Sequence, residues 1–302
     1  MNRTCLLTTF VVLLFIVRST QANLEIFTCE PEWAALAGEL GGSNVTTFSA
    51  TTALQDPHQV QARPSLLARA RRADLAVCTG AGLEIGWIPM IQRQAANPEI
   101  QPGQPGFFQA ADYVPMLEVP ARMDRSEGDI HAEGNPHIQT DPRNIGLVAK
   151  ALAGRMAQLD PVNAAIYMAR YEDFSARWEK AIDKWQQQAA PLKGTPIVVA
   201  HRYWVYLEKW LGLQEVATLE SKPGLPPSSA HLAEVLAQLK AQPARVIVRV
   251  AYQDARPSEW LSERAGIPAV MLPGTVDGTP EATDLFRLFD DTIQKLLKAI
   301  QK

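Results

Sequence analysis

Cysteine, charge of one sign and long apolar runs are all scarce in this sequence of 302 residues. Its three cysteines are too few for a disulfide-built scaffold or a cysteine-rich zinc site. Neither Cys-x-x-Cys nor His-Glu-x-x-His occurs, so no metal site is readable from local spacing alone. Basic and acidic residues number 29 and 32, leaving a formal net charge of −3 and a pI near 6.0. No broad basic face follows, which argues against nucleic acid as a partner. A hydrophobic share of 47% is enough to build a core and is not that of a disordered chain. At roughly 100–200 residues per domain, the length suggests two domains.

The one apolar run lies at the N-terminus. Arg3 supplies a positive start, Cys5 to Val17 an apolar core, and Thr20-Gln21-Ala22 a small-x-small cleavage site. The run is about 13 residues, short of the ~20 needed to span a bilayer. Residues 1–22 therefore read as a cleaved signal peptide, and the mature chain is expected to begin near Asn23, soluble and outside the cytoplasm. Cys5 precedes the apolar core, where a lipoprotein cysteine would follow it. The mature chain keeps Cys29 and Cys78. An even pair in an oxidising compartment is a disulfide candidate, the alternative being two unpaired small apolar side chains.

Beyond residue 23, strand-like and helix-like runs alternate, which implies α/β architecture with parallel sheets and crossover helices. Strands are predicted at Leu24–Thr28, Val45–Phe48 and Leu75–Cys78, with helices at Pro31–Leu40 and Pro64–Arg72. If the first and third strands are parallel neighbours, Cys29 and Cys78 share one sheet edge. Residues 101–136 hold many Gly and Pro without periodicity and read as a long surface loop. Asp141-Pro142 opens a helix through about Gln158. Asp160-Pro161 opens another, Asp as N-cap and Pro at N1, running to Ala190 over about 30 residues, or ~45 Å. Its stripe of Ile166, Tyr167, Tyr171, Phe174, Trp178, Ile182 and Trp185 predicts a buried face, and its length suits a connector between two lobes. The second half repeats the rhythm, with strands at Ile197–Ala200, Val216–Leu219, Val246–Val250 and Ala269–Leu272, and a closing helix over Ala282–Ile300. The expected division is 23–160 for an N-terminal lobe, 161–190 for the linker helix and 191–302 for a C-terminal lobe.

Of five histidines, three stand just beyond a strand or at a Pro-flanked turn: His58 in Asp56-Pro57-His58, His137 in Asn135-Pro136-His137, and His201 after Ile197–Ala200. Ligands in parallel α/β sheets bind outside the C-terminal ends of the strands. Three imidazoles presented there would suit zinc, a borderline-soft ion. A scattered histidine is more often a surface or core residue, and an Asp-Pro is a common helix start. His231, at a helix start after Pro226-Pro227-Ser228-Ser229, reads as structural or exposed.

An ordered set of segments changes that balance. Asp56-Pro57-His58 with Arg63-Pro64-Ser65, Leu83-Glu84-Ile85-Gly86-Trp87, Asn135-Pro136-His137 with Asp141-Pro142-Arg143-Asn144, Leu159 to Tyr167, and His201 with Tyr206 and Leu211-Gly212-Leu213 resemble the cluster A-I metal-binding proteins of ABC importers. This is the ZnuA/TroA-like family of zinc and manganese solute-binding proteins, and the resemblance covers almost the whole mature chain. The loop Gly128 to His137 further resembles the AztC-type zinc branch. The resemblance implies two α/β lobes joined by one rigid helix, with the ion in the cleft between them. Its ligands fall on His58, His137 and His201, and a fourth, Asp or Glu, follows the last strand of the second lobe. There the family often has Asp-Pro directly after the strand, whereas this chain has Leu272-Pro273-Gly274-Thr275-Val276-Asp277. Asp277 is the expected fourth ligand, with Glu281, Asp284 or a water as rivals. His131 is a candidate auxiliary ligand for capture or hand-over, or else a solvent-exposed histidine. Glu84 reads as polar support for the cleft, and Trp87 and Trp204 as packing.

The implied function is a periplasmic carrier, not an enzyme. It would bind Zn(II) and deliver it to an ABC-transporter permease, as a monomer and with a periplasmic zinc chaperone as a further candidate partner. Manganese and iron sites in the family tend to replace one histidine by Glu, so three histidines favour zinc. The alternatives are a manganese-binding homologue and a zinc-dependent hydrolase, since a three-histidine zinc site with an open position is also hydrolytic.

Overall fold

The computed structural model describes residues 22–122, 128 and 130–301. All of the expected signal peptide but Ala22 lies outside the described residues, as do residues 123–127 and 129 of the Gly-rich loop. Short apolar runs form the inner strands because helices cover both faces of each sheet, and a parallel strand buried on both sides needs no polar alternation. The first sheet holds β1 (Leu24–Thr28), β2 (Val45–Ser49), β3 (Leu75–Cys78) and β4 (Phe107–Gln109). Its order is β2-β1-β3-β4, all parallel, with α1 (Pro31–Gly41), α2 (Pro64–Ala70) and α3 (Ile88–Ala95) in the connections. The second sheet, β6-β5-β7-β8, repeats that order with β5 (Pro196–Val199), β6 (Gln214–Thr218), β7 (Val246–Arg249) and β8 (Ala269–Met271). Its crossovers are α6 (Val205–Leu211), α7 (Ser229–Ala241) and α8 (Ala255–Ala265). The fold is thus two parallel-sheet α/β lobes.

Between the lobes run α4 (Pro142–Leu159) and α5 (Ala164–Gln188), and α9 (Leu285–Ile300) returns from the second lobe to pack on α5. The first half of α5 is fastened to α1 by Arg170, which donates to the Glu39 carbonyl at 2.8 Å, and by Arg177, paired with the Glu39 carboxylate at 2.9 Å. Its second half is fastened to α9 through Asp290, which accepts from Lys184 at 2.9 Å and from the Trp185 indole at 2.8 Å. Trp178 lies between these ends, its ring centroid 4.8 Å from Phe286 and 5.2 Å from Trp185. One apolar cluster runs without a break from Leu24 and Leu75 through Val148, Phe174 and Trp178 to Ile197, Val248 and Phe289. The lobes therefore share a core. Truncating one of its tryptophans would cost about 3–5 kcal/mol.

Two expectations are corrected. Residues 101–136 are not wholly loop: Phe107–Gln109 pairs with β3, and Ala110–Tyr113 forms a 3₁₀ turn. A three-residue strand is too short to show alternation. The linker helix starts at Ala164, not at Asp160-Pro161, and has 25 residues. The Asp160 carboxylate accepts from the Asn163 side-chain amide at 2.7 Å and the Tyr167 hydroxyl at 2.6 Å, which closes a turn ahead of the helix. Asp141 does cap α4, accepting from the Arg143 amide at 2.9 Å.

β1 and β3 are neighbours, so Cys29 and Cys78 meet just past the Thr28–Val77 register and form a disulfide with Cα atoms 4.8 Å apart. Beside it, the carboxylates of Glu30, Glu32 and Glu84 are all buried. Glu32 reaches across the cleft to accept from the Thr275 hydroxyl of the second lobe. Burial pushes the Glu32 carboxyl up to about 7; the Thr275 bond opposes this, and the charge of Glu84 adds to it. Burial likewise raises Glu84 to about 6 and raises Glu30. In the unfolded chain these groups lose their protons near 4.5, while in the folded chain they hold them longer, so the folded form binds more protons in between. The contribution of these carboxyls to the stability of the metal-free protein should therefore fall as pH rises from about 4.5 to about 7, while His137, held below its ordinary value, contributes in the opposite direction. Thermal melts across this window should show a shallower fall for Glu32→Gln.

Candidate metal centre

Each of the three histidines is set by a local device. Asp56 accepts from the His58 amide at 3.0 Å and bonds the His58 Nδ1 at 2.7 Å, while the Trp87 indole donates to the Pro57 carbonyl at 2.9 Å. The turn is thereby held from both sides. Asn135 accepts from the His137 amide at 3.1 Å and donates to the Arg202 carbonyl at 2.8 Å, tying the Asn-Pro-His turn to the second lobe. His201 lies just past β5, and its Nδ1 meets Glu220, beyond β6, at 2.7 Å. All three stand at the C-terminal side of the strands, where the cleft lies.

The imidazoles converge. One nitrogen from each of His58, His137 and His201 lies within 4.8 Å of the others. Ring centroids are 5.5 Å apart for His58–His137 and His137–His201, and 5.9 Å for His58–His201. With Nδ1 of His58 and His201 held by carboxylates, Nε2 of each is left to act as a donor to an ion. His137 is 1% exposed, and neither of its ring nitrogens has a hydrogen-bond partner; His58 Nε2 is also buried without one. Unpartnered buried nitrogens are costly, and a bound cation would satisfy them. Burial first, then the neighbouring imidazoles of His201, His58 and His131, hold the His137 pKa well below the ordinary histidine value. It therefore stays neutral, the form that ligates. Burial would raise Asp56, but the hydrogen bond and charge of His58 prevail and lower it, so it stays anionic beside the imidazole.

The structure does not bring the expected fourth ligand to this group. Asp277 is exposed, and its oxygens are not among the converging donor atoms. Its φ of 63° and the bond from its amide to the Ala282 carbonyl at 2.7 Å belong to a tight turn. The rivals are engaged elsewhere: Glu281 pairs with Lys295 on α9 at 3.5 Å, and Asp284 is the N-cap of α9. His131 does come close, its ring centroid 5.5 Å from that of His58, and it lines a cavity of about 130 Å³ with His137 and His201. His231 stands apart, bonded through Nε2 to the Thr218 carbonyl at 3.0 Å. Glu84 accepts from the amides of Thr79 and Gly80 at 2.7 and 3.1 Å, the supporting role expected of it.

Sequence reasoning misses the roles of Glu220 and Tyr203. Tyr203 stacks on His137 with centroids 4.1 Å apart and accepts from the Gln139 amide at 2.8 Å. The position of Glu220 just beyond a parallel strand is the signal that could have found it.

The family model for ZnuA, zinc-uptake complex component A periplasmic, matches residues 26–299. The chain belongs to this family. It is thereby a metal-binding substrate-binding protein of the ABC-importer type. It is similar to the manganese ABC transporter substrate-binding lipoprotein PsaA of Streptococcus pneumoniae, 24% identical over 260 residues that cover 83% of this chain and 79% of the relative. It is also similar to the iron ABC transporter substrate-binding lipoprotein MtsA of Streptococcus pyogenes serotype M1, 23% identical over 78% of this chain and 74% of the relative. A crystal structure of ZnuA superposes with a TM-score of 0.76 at 22% identity, covering 92% of this chain and 99% of that one. At that identity the likeness speaks for the fold.

The carboxylates that orient the imidazoles in this ZnuA-family chain should matter without touching an ion. Asp56→Asn and Glu220→Gln should each weaken metal binding about 10–100-fold, as loss of an outer-shell partner does. Competition titration against a chromogenic chelator measures this, with circular dichroism confirming the fold.

Proposed function

We propose that the chain captures Zn(II) outside the cytoplasm and passes it to the permease of an ABC importer. The observation that carries this reading is the convergence of three imidazoles, with no carboxylate among the converging donors in the described residues. An all-nitrogen set suits zinc better than manganese, which favours oxygen. Tetrahedral zinc at about 2.0–2.1 Å from each nitrogen would place them roughly 3.4 Å apart. The converging nitrogens, within 4.8 Å of one another, would draw closer on binding. His58, His137 and His201 are assigned as ligands and His131 as an auxiliary donor. In this reading residues 1–22 export the chain to the periplasm, where a zinc chaperone is a further candidate donor.

Manganese or iron uptake is the second reading, favoured by the names of the relatives PsaA and MtsA. Titrating chelator-stripped protein with Zn(II) and Mn(II) in competition tests the zinc reading; because most sites hold zinc above manganese, rescue of an importer-dependent strain by Zn(II) or by Mn(II) separates the two. Zinc is expected to displace manganese, and the reverse order would overturn the zinc assignment. His58→Ala, His137→Ala and His201→Ala should each lower zinc affinity by more than the 10–100-fold expected for an orienting partner. Asp277→Ala should leave it unchanged. Zinc affinity should also fall in acid, because protons compete for the imidazoles.

A further inference from the structure

The three imidazoles are not held alike. His58 and His201 each lean on a carboxylate, Asp56 and Glu220, at 2.7 Å in both cases. His137 has no such support, because both of its ring nitrogens are buried without a hydrogen bond. A ligating imidazole ordinarily takes its orientation from the bond that its second nitrogen makes. The plane of His137 has to be fixed in another way. The ring of Tyr203 lies against it, with centroids 4.1 Å apart and planes inclined by 29°.

Tyr203 is itself fixed from several directions. It is buried, its amide donates to the His201 carbonyl at 2.6 Å, and its ring meets that of Trp204 at a centroid distance of 4.9 Å. Its hydroxyl accepts from the Gln139 side chain at 2.8 Å and donates to the Gly274 carbonyl at 3.1 Å. Gln139 lies two residues beyond His137, and Gly274 follows β8. The turn after β5 thus carries one imidazole, His201, and the aromatic face on which another, His137, rests.

We propose that Tyr203 is the positioning residue for His137, doing by stacking what Asp56 and Glu220 do by hydrogen bonding. This rests on the metal-carrier reading. An aromatic face restrains the tilt of an imidazole without bonding either nitrogen. The nitrogen that His137 offers is then set by where its ring is held, and no further charge is placed beside the ion.

Zinc affinity and thermal stability of Tyr203→Phe and Tyr203→Leu separate positioning from a merely structural role. Tyr203→Phe keeps the stacking face but leaves the buried Gln139 side chain without its acceptor. It should lower the melting temperature and leave zinc affinity near that of the unaltered protein. Tyr203→Leu removes the face. It should weaken zinc about 10–100-fold, the range for loss of an orienting partner, at a temperature where circular dichroism shows both variants folded. Co(II), whose visible absorption reports its ligands, should give the unaltered spectrum with Tyr203→Phe and a changed one with Tyr203→Leu. Unchanged zinc affinity and Co(II) spectrum in folded Tyr203→Leu would overturn the proposal. A loss of affinity in Tyr203→Phe as large as that expected of Tyr203→Leu would overturn it too, by assigning the effect to the hydroxyl. Failure of the unaltered protein to bind either zinc or manganese would instead overturn the carrier reading.

Discussion

Three imidazoles drawn from two lobes can lie within 4.8 Å of one another only if the lobes are held at a fixed separation. The apolar core beneath α5 imposes that separation. Trp178 packs between α4 and α9 and Trp185 against α9, and the Asp290 and Glu39 contacts pin α5 to different lobes. Because the core is continuous, large rotation of one lobe against the other would expose buried aromatic surface. At about 25 cal/mol per Å² of apolar area, that cost discourages wide opening.

The electrostatics of the cleft follow from the same geometry. Burial holds His137 neutral, and carboxylates set behind His58 and His201 fix which nitrogen faces inward. Negative charge is thus kept one step away from the ion. There it can offset the charge of a divalent cation without giving up the nitrogen-rich donor set. The buried ring nitrogens of His137 and the Nε2 of His58 have no hydrogen-bond partner, a cost that a bound metal ion would offset.

Much of this is legible in the sequence. The strands and the three Pro- or strand-flanked histidines can be found because each depends on short-range pattern. The Cys29–Cys78 pairing follows once β1 and β3 are parallel neighbours. β4 is not legible, because three residues show no period and its pairing is set by β3 alone. The start of α5 is misread because Asp160 closes a separate turn with Asn163 and Tyr167 ahead of the helix, and Asn163 takes the N-cap position. Asp277 has the right place after the last strand, but a left-handed turn sends it to solvent. Glu220 lies 19 residues from His201, and only the parallel pairing of β5 with β6 brings them together.

The central claim is that His58, His137 and His201 together hold the ion. Crystals of the zinc-loaded protein, with anomalous diffraction recorded above and below the zinc edge, test it most directly. The account predicts one strong anomalous peak within bonding distance of a nitrogen from each of the three rings. A peak bonded to fewer than three of them, or one placed beside Asp277 or the buried Glu30, Glu32 and Glu84, would contradict it.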